Sequence, residues 1–78
     1  MRLIKLTEEK QMPQYDGNNH IIGINKVYEA RYFDADKIEN FSRLENTTYL
    51  YMSASSAAFV VVETPEEIIQ LIEQAKEI

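Results

Sequence analysis

Residues Ala57–Ile78 read AAFVVVETPEEIIQLIEQAKEI, an apolar strand, a capped turn and an amphipathic helix. Thr64 is placed to accept a bond from the amide of Glu67, and Glu67 to reach back to the Thr64 amide, which makes a capping box. Pro65 falls at the first helical position, where its missing N–H costs nothing. Glu66 and Glu67 sit in the first turn, where the helix dipole favours negative charge. Ile68, Leu71, Ile72 and Ala75 then follow the spacing of a buried helical stripe, which Ile69 widens and Ile78 extends. Glu66, Gln70, Glu73, Gln74 and Glu77 cover the other side, as a solvated face or as a docking surface for a basic partner. Phe59–Val62 is β-branched and aromatic, and predicts a strand with both faces partly covered.

Working back from this ending, the chain predicts strands rather than further helices. Leu3–Leu6 reads as a first strand. Residues 8–20 are polar, broken by Pro13 and by Asp16-Gly17-Asn18-Asn19, whose residues tolerate positive φ and favour a turn. Ile21–Ile24 is a short apolar strand. Val27–Phe33 alternates in period two, with Val27, Glu29, Arg31 and Phe33 on one side and Tyr28, Ala30 and Tyr32 on the other. Asp34–Lys37 is a turn with Asp34 as cap. Ile38–Glu45 is a strand anchored by Phe41 and Leu44, with Asn46 as a turn residue. Thr47–Met52 is a strand by propensity, with Leu50 and Met52 on one side and Tyr49 and Tyr51 on the other. Ser53–Ser56 is a hairpin loop. Antiparallel strands followed by one helix predict an α+β class. The expected architecture is a small antiparallel sheet or open barrel of about 4–6 strands, closed by the C-terminal helix.

Seventy-eight residues make one domain, 1–78, in which a single core is marginal without disulfides, a metal or self-association. The chain has no cysteine and one histidine, His20. Disulfides and thiolate metal sites are excluded, and a structural zinc site is not expected. Self-association remains, so a homo-oligomer is expected, with an exposed β-edge as its natural contact. No apolar run reaches the roughly 20 residues that span a membrane. Met1–Leu6 breaks its apolar pattern with charge and reads as a strand, not a signal peptide. Cytoplasmic residence is the expectation. The formal net charge of −5 argues against broad nucleic-acid binding. The charge is uneven: residues 63–78 carry five glutamates and one lysine, a net of −4, which leaves the first 62 residues near neutral.

Three stretches together carry a family resemblance. They are Leu3-Ile4-Lys5-Leu6-Thr7, Phe33-Asp34-Ala35-Asp36-Lys37-Ile38-Glu39 and Val60-Val61-Val62-Glu63-Thr64-Pro65-Glu66-Glu67-Ile68-Ile69. They resemble the FlbD-like family of short flagellar and swarming-associated proteins, and related small phage or mobile-element proteins. That family's pattern is an opening IKLT strand, an N-A-D-x-I-E turn into a strand, a hairpin, and a V-x-E-S/T-x-E-E-V/I helix. The resemblance covers residues 1–7 and 33–72. Residues 8–32 exceed the family's length, and Ala54-Ser55-Ser56 replaces its hairpin-tip Asn-Gly. It implies the antiparallel sheet before the helix, and it brings no catalytic residues.

The residues themselves offer little chemistry. His20 lies in a turn-rich loop with only Asp16 as an acidic neighbour. Asp34 and Asp36 suit a cap and a solvated side chain better than a catalytic pair. The two glycines, at 17 and 23, are isolated, so no phosphate-cradling loop exists. No cofactor is expected. A hydrolase built on Asp34, Asp36 and His20 is the weakest reading. The five tyrosines are the unusual feature. Tyr28 and Tyr32 share a strand face, as do Tyr49 and Tyr51, and Lys26, Arg31 and Arg43 lie on the same or adjacent strands. Tyrosine and arginine together mark protein interfaces. They also suit a small anionic, nucleotide-like ligand held between subunits. A third reading is an amphipathic sheet whose tyrosines half-bury their rings. The leading function is a non-enzymatic interaction or regulatory module. It would work through the tyrosine-bearing face and the 8–32 insertion, as a homo-oligomer or with a protein partner.

Overall fold

A computed structural model of the chain describes residues 1–77 and places the helix where its cap dictates. Helix α1 (Pro65–Gln74) starts at Thr64, whose hydroxyl accepts from the Glu67 amide at 3.2 Å, while Glu67 accepts from the Thr64 amide at 3.0 Å. These bonds hold the Glu67 carboxyl below the usual carboxylate range, the Thr64 amide contributing most. Ile68 is fully buried, and Leu71, Ile72 and Ala75 pack against the core. Ile69 departs from the expected stripe and is 46 % exposed. At 100° around the helix from Ile68, it points away from the sheet. Ile78 lies outside the described residues.

Before the helix come five antiparallel strands: β1 (Leu3–Tyr15), β2 (Ile21–Asp34), β3 (Ile38–Leu44), β4 (Thr47–Met52) and β5 (Phe59–Val61). The chain is therefore a small α+β protein with one five-stranded sheet, not closed into a barrel. The order across the sheet is β2-β1-β5-β4-β3. Its two edge strands, β2 and β3, are joined directly by a three-residue 3-10 turn, Ala35–Lys37. Asp34 caps this turn by accepting from the Asp36 amide at 3.0 Å, as its place in the sequence suggested. A link this short requires the sheet to curl until its edges approach.

One face of the curled sheet carries Ile4, Leu6, Phe33, Leu50 and Val61, and with Ala35 and Ile68 these form the core. Thr48 and Glu8 are the buried polar side chains. The Thr48 hydroxyl donates to the Glu63 carbonyl at 2.7 Å, and the Glu63 carboxylate accepts from the Thr7 amide at 2.9 Å. These bonds fasten the start of the helix to the centre of the sheet. Arg2 fastens its other end, donating to the Ile72 carbonyl at 3.2 Å.

Two expectations for the first half of the chain need correction. Residues 8–15 continue β1, and Ile21–Ile24 merges with Val27–Phe33 into one strand of 14 residues. Pro13 sits within β1, in register with Ile24. Period-two alternation arises when one face is buried. Beyond Glu8 neither face is, so the polar string Glu8–Gln11 carries no such signal. Asn46 lies in the β3–β4 turn as expected, together with Glu45, which takes positive φ.

Replacing Leu50 with alanine empties the centre of the core and is expected to cost about 2–5 kcal/mol. Thr64→Ala, which removes the cap, should cost about 1 kcal/mol. Urea unfolding of both variants measures the difference, and a Leu50→Ala cost no larger than the cap's would place the core elsewhere.

Candidate functional site

A compact chain of 78 residues has a radius of gyration of about 11–12 Å. This one measures 15.0 Å and extends 50 × 25 × 21 Å. The excess length is the hairpin β1–β2. Its strands stay paired from Leu3↔Asp34 to Tyr15↔Ile21, whereas β5 reaches β1 only at Glu8↔Val61. From Glu9 outward the two strands pair only with each other. The seven residues Glu9–Tyr15 make an arm projecting about 23 Å at the usual strand rise.

Both ends of the arm are fastened. At its base, the Lys10 ammonium lies 2.6 Å from the Glu29 carboxylate and holds its pKa below the usual range. Tyr28 donates to Glu9 at 3.1 Å, and Arg31 to the buried Glu8 carboxylate at 2.9 Å. At the tip, the Asp16 side chain accepts from the amides of Asn18 at 2.8 Å and His20 at 2.9 Å. Asn19 takes the left-handed conformation with φ 63°, which asparagine tolerates better than most residues. The sequence Asp16–Asn19 thus makes the turn it predicts.

The arm's surface is unusual for its exposure. Ile21, Ile22 and Ile24 are 63 %, 66 % and 62 % exposed, and Met12, Tyr15 and Tyr28 are similarly open to solvent. Between Gln11 and Asn25 the only formally charged residue is Asp16. An isolated two-stranded ribbon is marginally stable in water. Exposed contiguous apolar surface marks an interaction site.

The residues singled out by sequence divide between the two faces of the sheet. Tyr28, Tyr32, Tyr49 and Tyr51 alternate away from the core, and so does Lys26. The two tyrosine pairs are three strands apart, about 14 Å along the sheet. Arg31 and Arg43 lie on the core-facing side. Arg43 is occupied by the fold, donating to the Thr48 hydroxyl at 3.1 Å and to the carbonyls of Glu45, Val62 and Glu63 at 3.2–3.3 Å. Of the seven, only Arg31 and Tyr32 line a common cavity.

That cavity is a cleft of about 270 Å³ bounded by the end of β2, the Ala35–Lys37 turn, the β4–β5 loop and Phe59 of β5. Besides Arg31 and Tyr32, its lining includes Phe33, Lys37, Met52 and Phe59. The Phe33 and Phe59 rings meet edge-on at 5.3 Å, and the Arg31 guanidinium sits 5.0 Å above the Phe59 ring. An apolar floor with a rim of mixed charge follows, because Asp34 lines the cleft beside Arg31 and Lys37. Lys37 was not legible as a lining residue, because its place depends on the approach of strands far apart in sequence.

Catalytic geometry is not assembled from the candidates. His20, at the arm tip, has only Asp16 near it, at 3.6 Å. Asp34 and Asp36 lie at the opposite end of β2, roughly 45 Å of strand away. Asp34 is engaged as a cap and Asp36 pairs with Arg2 at 2.9 Å. Among the described residues no cluster of three metal-ligating side chains occurs, and no helix is long and apolar enough to cross a membrane. The chain matches no protein-family model, no curated protein and no solved structure.

The Asp16 carboxyl is held below its ordinary pKa, first by the His20 amide and then by that of Asn18. A depressed pKa means the tip contact is complete above the ordinary aspartate range and is lost as pH falls through the lowered value. Amide exchange at Asn18 and His20 should therefore accelerate on acidification relative to base-paced exchange in an unfolded peptide. Asp16→Asn should flatten that dependence.

Proposed function

We propose that this protein is a non-enzymatic interaction module whose contact element is the β1–β2 arm, with the tyrosine-bearing outer face of the sheet beside it. One observation carries this reading: an isoleucine-rich ribbon, nearly uncharged between Gln11 and Asn25, stands clear of a small acidic body. Water is a poor environment for such a surface, and covering three isoleucines contributes roughly 1.5–3 kcal/mol each. Tyr28 and Tyr32 continue the apolar surface from the arm onto the sheet, where aromatic side chains with polar tips suit a contact that is partly wet. Cytoplasmic residence and membership of the FlbD-like family belong to the same reading. The family places the fold's closing motif, while the arm is what this chain adds to it.

A photo-reactive side chain at Ile24 should give discrete adducts in the native host. The same group at Glu73, on the outer face of α1, should not. No adduct from the arm, or the same adducts from both positions, would remove this function.

The cleft favours a second reading, a small anionic ligand bound within one subunit. Its volume of about 270 Å³ lies just below the usual range of ligand pockets, and Lys37 would face the anion while Phe33 and Phe59 take an apolar or ring moiety, Arg31 being paired with Glu8. Thermal-shift measurements with nucleoside mono-, di- and triphosphates test it. A stabilisation that Lys37→Ala abolishes supports it, and no shift with any of them sinks it.

A further inference from the structure

Three β-edges of this sheet are open, and they differ in protection. The outer edge of β3 carries Glu39 and Arg43 and has a register irregularity between Ile38 and Asn40. The outer edge of β1 beyond Glu8 carries Glu9, Lys10 and Pro13. Charges, prolines and bulges are the devices that stop an edge from recruiting another strand. The outer edge of β2 over Ile21–Asn25 has neither charge nor proline. It has one irregularity, opposite Gln14/Tyr15, and from Gly23 onward its register is regular.

We infer that β2 pairs with β2 of a second copy, antiparallel and edge to edge with Ile24 or Asn25 at the centre of the paired stretch, so that two arms form one four-stranded ribbon. This names the partner of the arm and rests on the interaction reading above. The choice of a second copy comes from charge. Each chain carries a formal −5, so two copies meet at least cost where charge is lowest, and the distal arm is that place. A basic partner would instead be drawn to the glutamates of residues 63–78. Pairing supplies the strands that an isolated ribbon lacks and brings Ile24 and Tyr28 of both copies onto one surface.

The geometry restricts the register. In a symmetric antiparallel pair, one residue lies opposite its own copy. Lys26 is disfavoured there, since it would set lysine directly against lysine. The two-fold axis therefore falls at Ile24 or Asn25.

The chain has no cysteine, so single cysteines report this directly. Sedimentation of the full chain should show a concentration-dependent species of twice 9.1 kDa. Opposed Cα atoms of an antiparallel pair lie within disulfide range. Oxidation of Ile24→Cys or Asn25→Cys should give a covalent dimer in high yield, while Met12→Cys on β1 should not. Ile24→Lys should weaken self-association at least about tenfold, by setting like charges opposite one another. Its far-UV spectrum should be unchanged, because the side chain is exposed.

A 9.1 kDa species at every concentration up to the solubility limit would overturn the inference. So would a dimer indifferent to Ile24→Lys, or equal cross-linking from Met12→Cys. If the chain is monomeric but the Ile24 photo-adducts persist at masses other than twice the chain's, the arm binds a different protein. The interaction reading would then stand and the self-pairing would fall.

Discussion

The three-residue link Ala35–Lys37 constrains everything else. It joins the first and last strands of a five-stranded sheet, so those edges must approach, and a flat sheet is excluded. Curling gives the sheet an inside on which Ile4, Leu6, Phe33, Leu50 and Val61 converge. Ala35 is itself buried in that cluster, and its amide donates to the Arg2 carbonyl at 2.7 Å. The Lys37 carbonyl accepts from Ser53 at 2.9 Å, which ties the link to the end of β4. The cleft lies beside this link, between the end of β2 and the β4–β5 loop.

The helix completes what the curl begins. Its first turn is bound through Glu63 and Thr48 to the middle of the sheet, and its last turn through Arg2 to the start of β1. Ile68 between these points fills the core. Buried polar groups are tolerated here because each has a partner: Thr48 bonds to Glu63, and Glu8 is met by Arg31. Arg31 thereby serves the fold first. Its guanidinium neutralises a carboxylate with little exposure and lies over Phe59, which leaves Lys37 as the freer cation of the cleft.

How much of this was legible follows from where the information lies. The helix start was fully written in four consecutive residues, Thr64-Pro65-Glu66-Glu67, because capping is local. The β4 strand was legible because one of its faces, with Thr48 and Leu50, is set against the core, whereas in Val27–Phe33 only Phe33 is buried and the alternation is one of residue type. The arm was half legible. Its turn was, since Asp16 and Asn19 act on their own backbone. Its strands were not, because a ribbon with two wet faces imposes no hydrophobic period. Pro13 also discouraged a strand assignment, although it is tolerated at the open edge of a ribbon. The candidate residues were found by type but not grouped, because grouping depends on sheet order. Alternation already set Arg31 opposite Tyr28 and Tyr32, but nothing local says that Arg43 sits opposite Tyr49 and Tyr51, or that β5 inserts between β1 and β4.

The distribution of charge gives the arm's length a physical meaning. An acidic body keeps copies apart, whereas the distal arm, which we propose pairs with a second copy, carries little charge. An arm that projects about 23 Å separates these demands. In the proposed pairing, with two arms side by side near their tips, the bodies would stand farther apart than the Debye length of about 8 Å at physiological salt, and their repulsion would be screened. A short hairpin would bring the glutamate-rich helices within range and cost the pairing that it made. The scarcity of charge between Gln11 and Asn25 and the length of the arm are linked properties in the proposed pairing, and salt should affect arm-mediated self-association weakly.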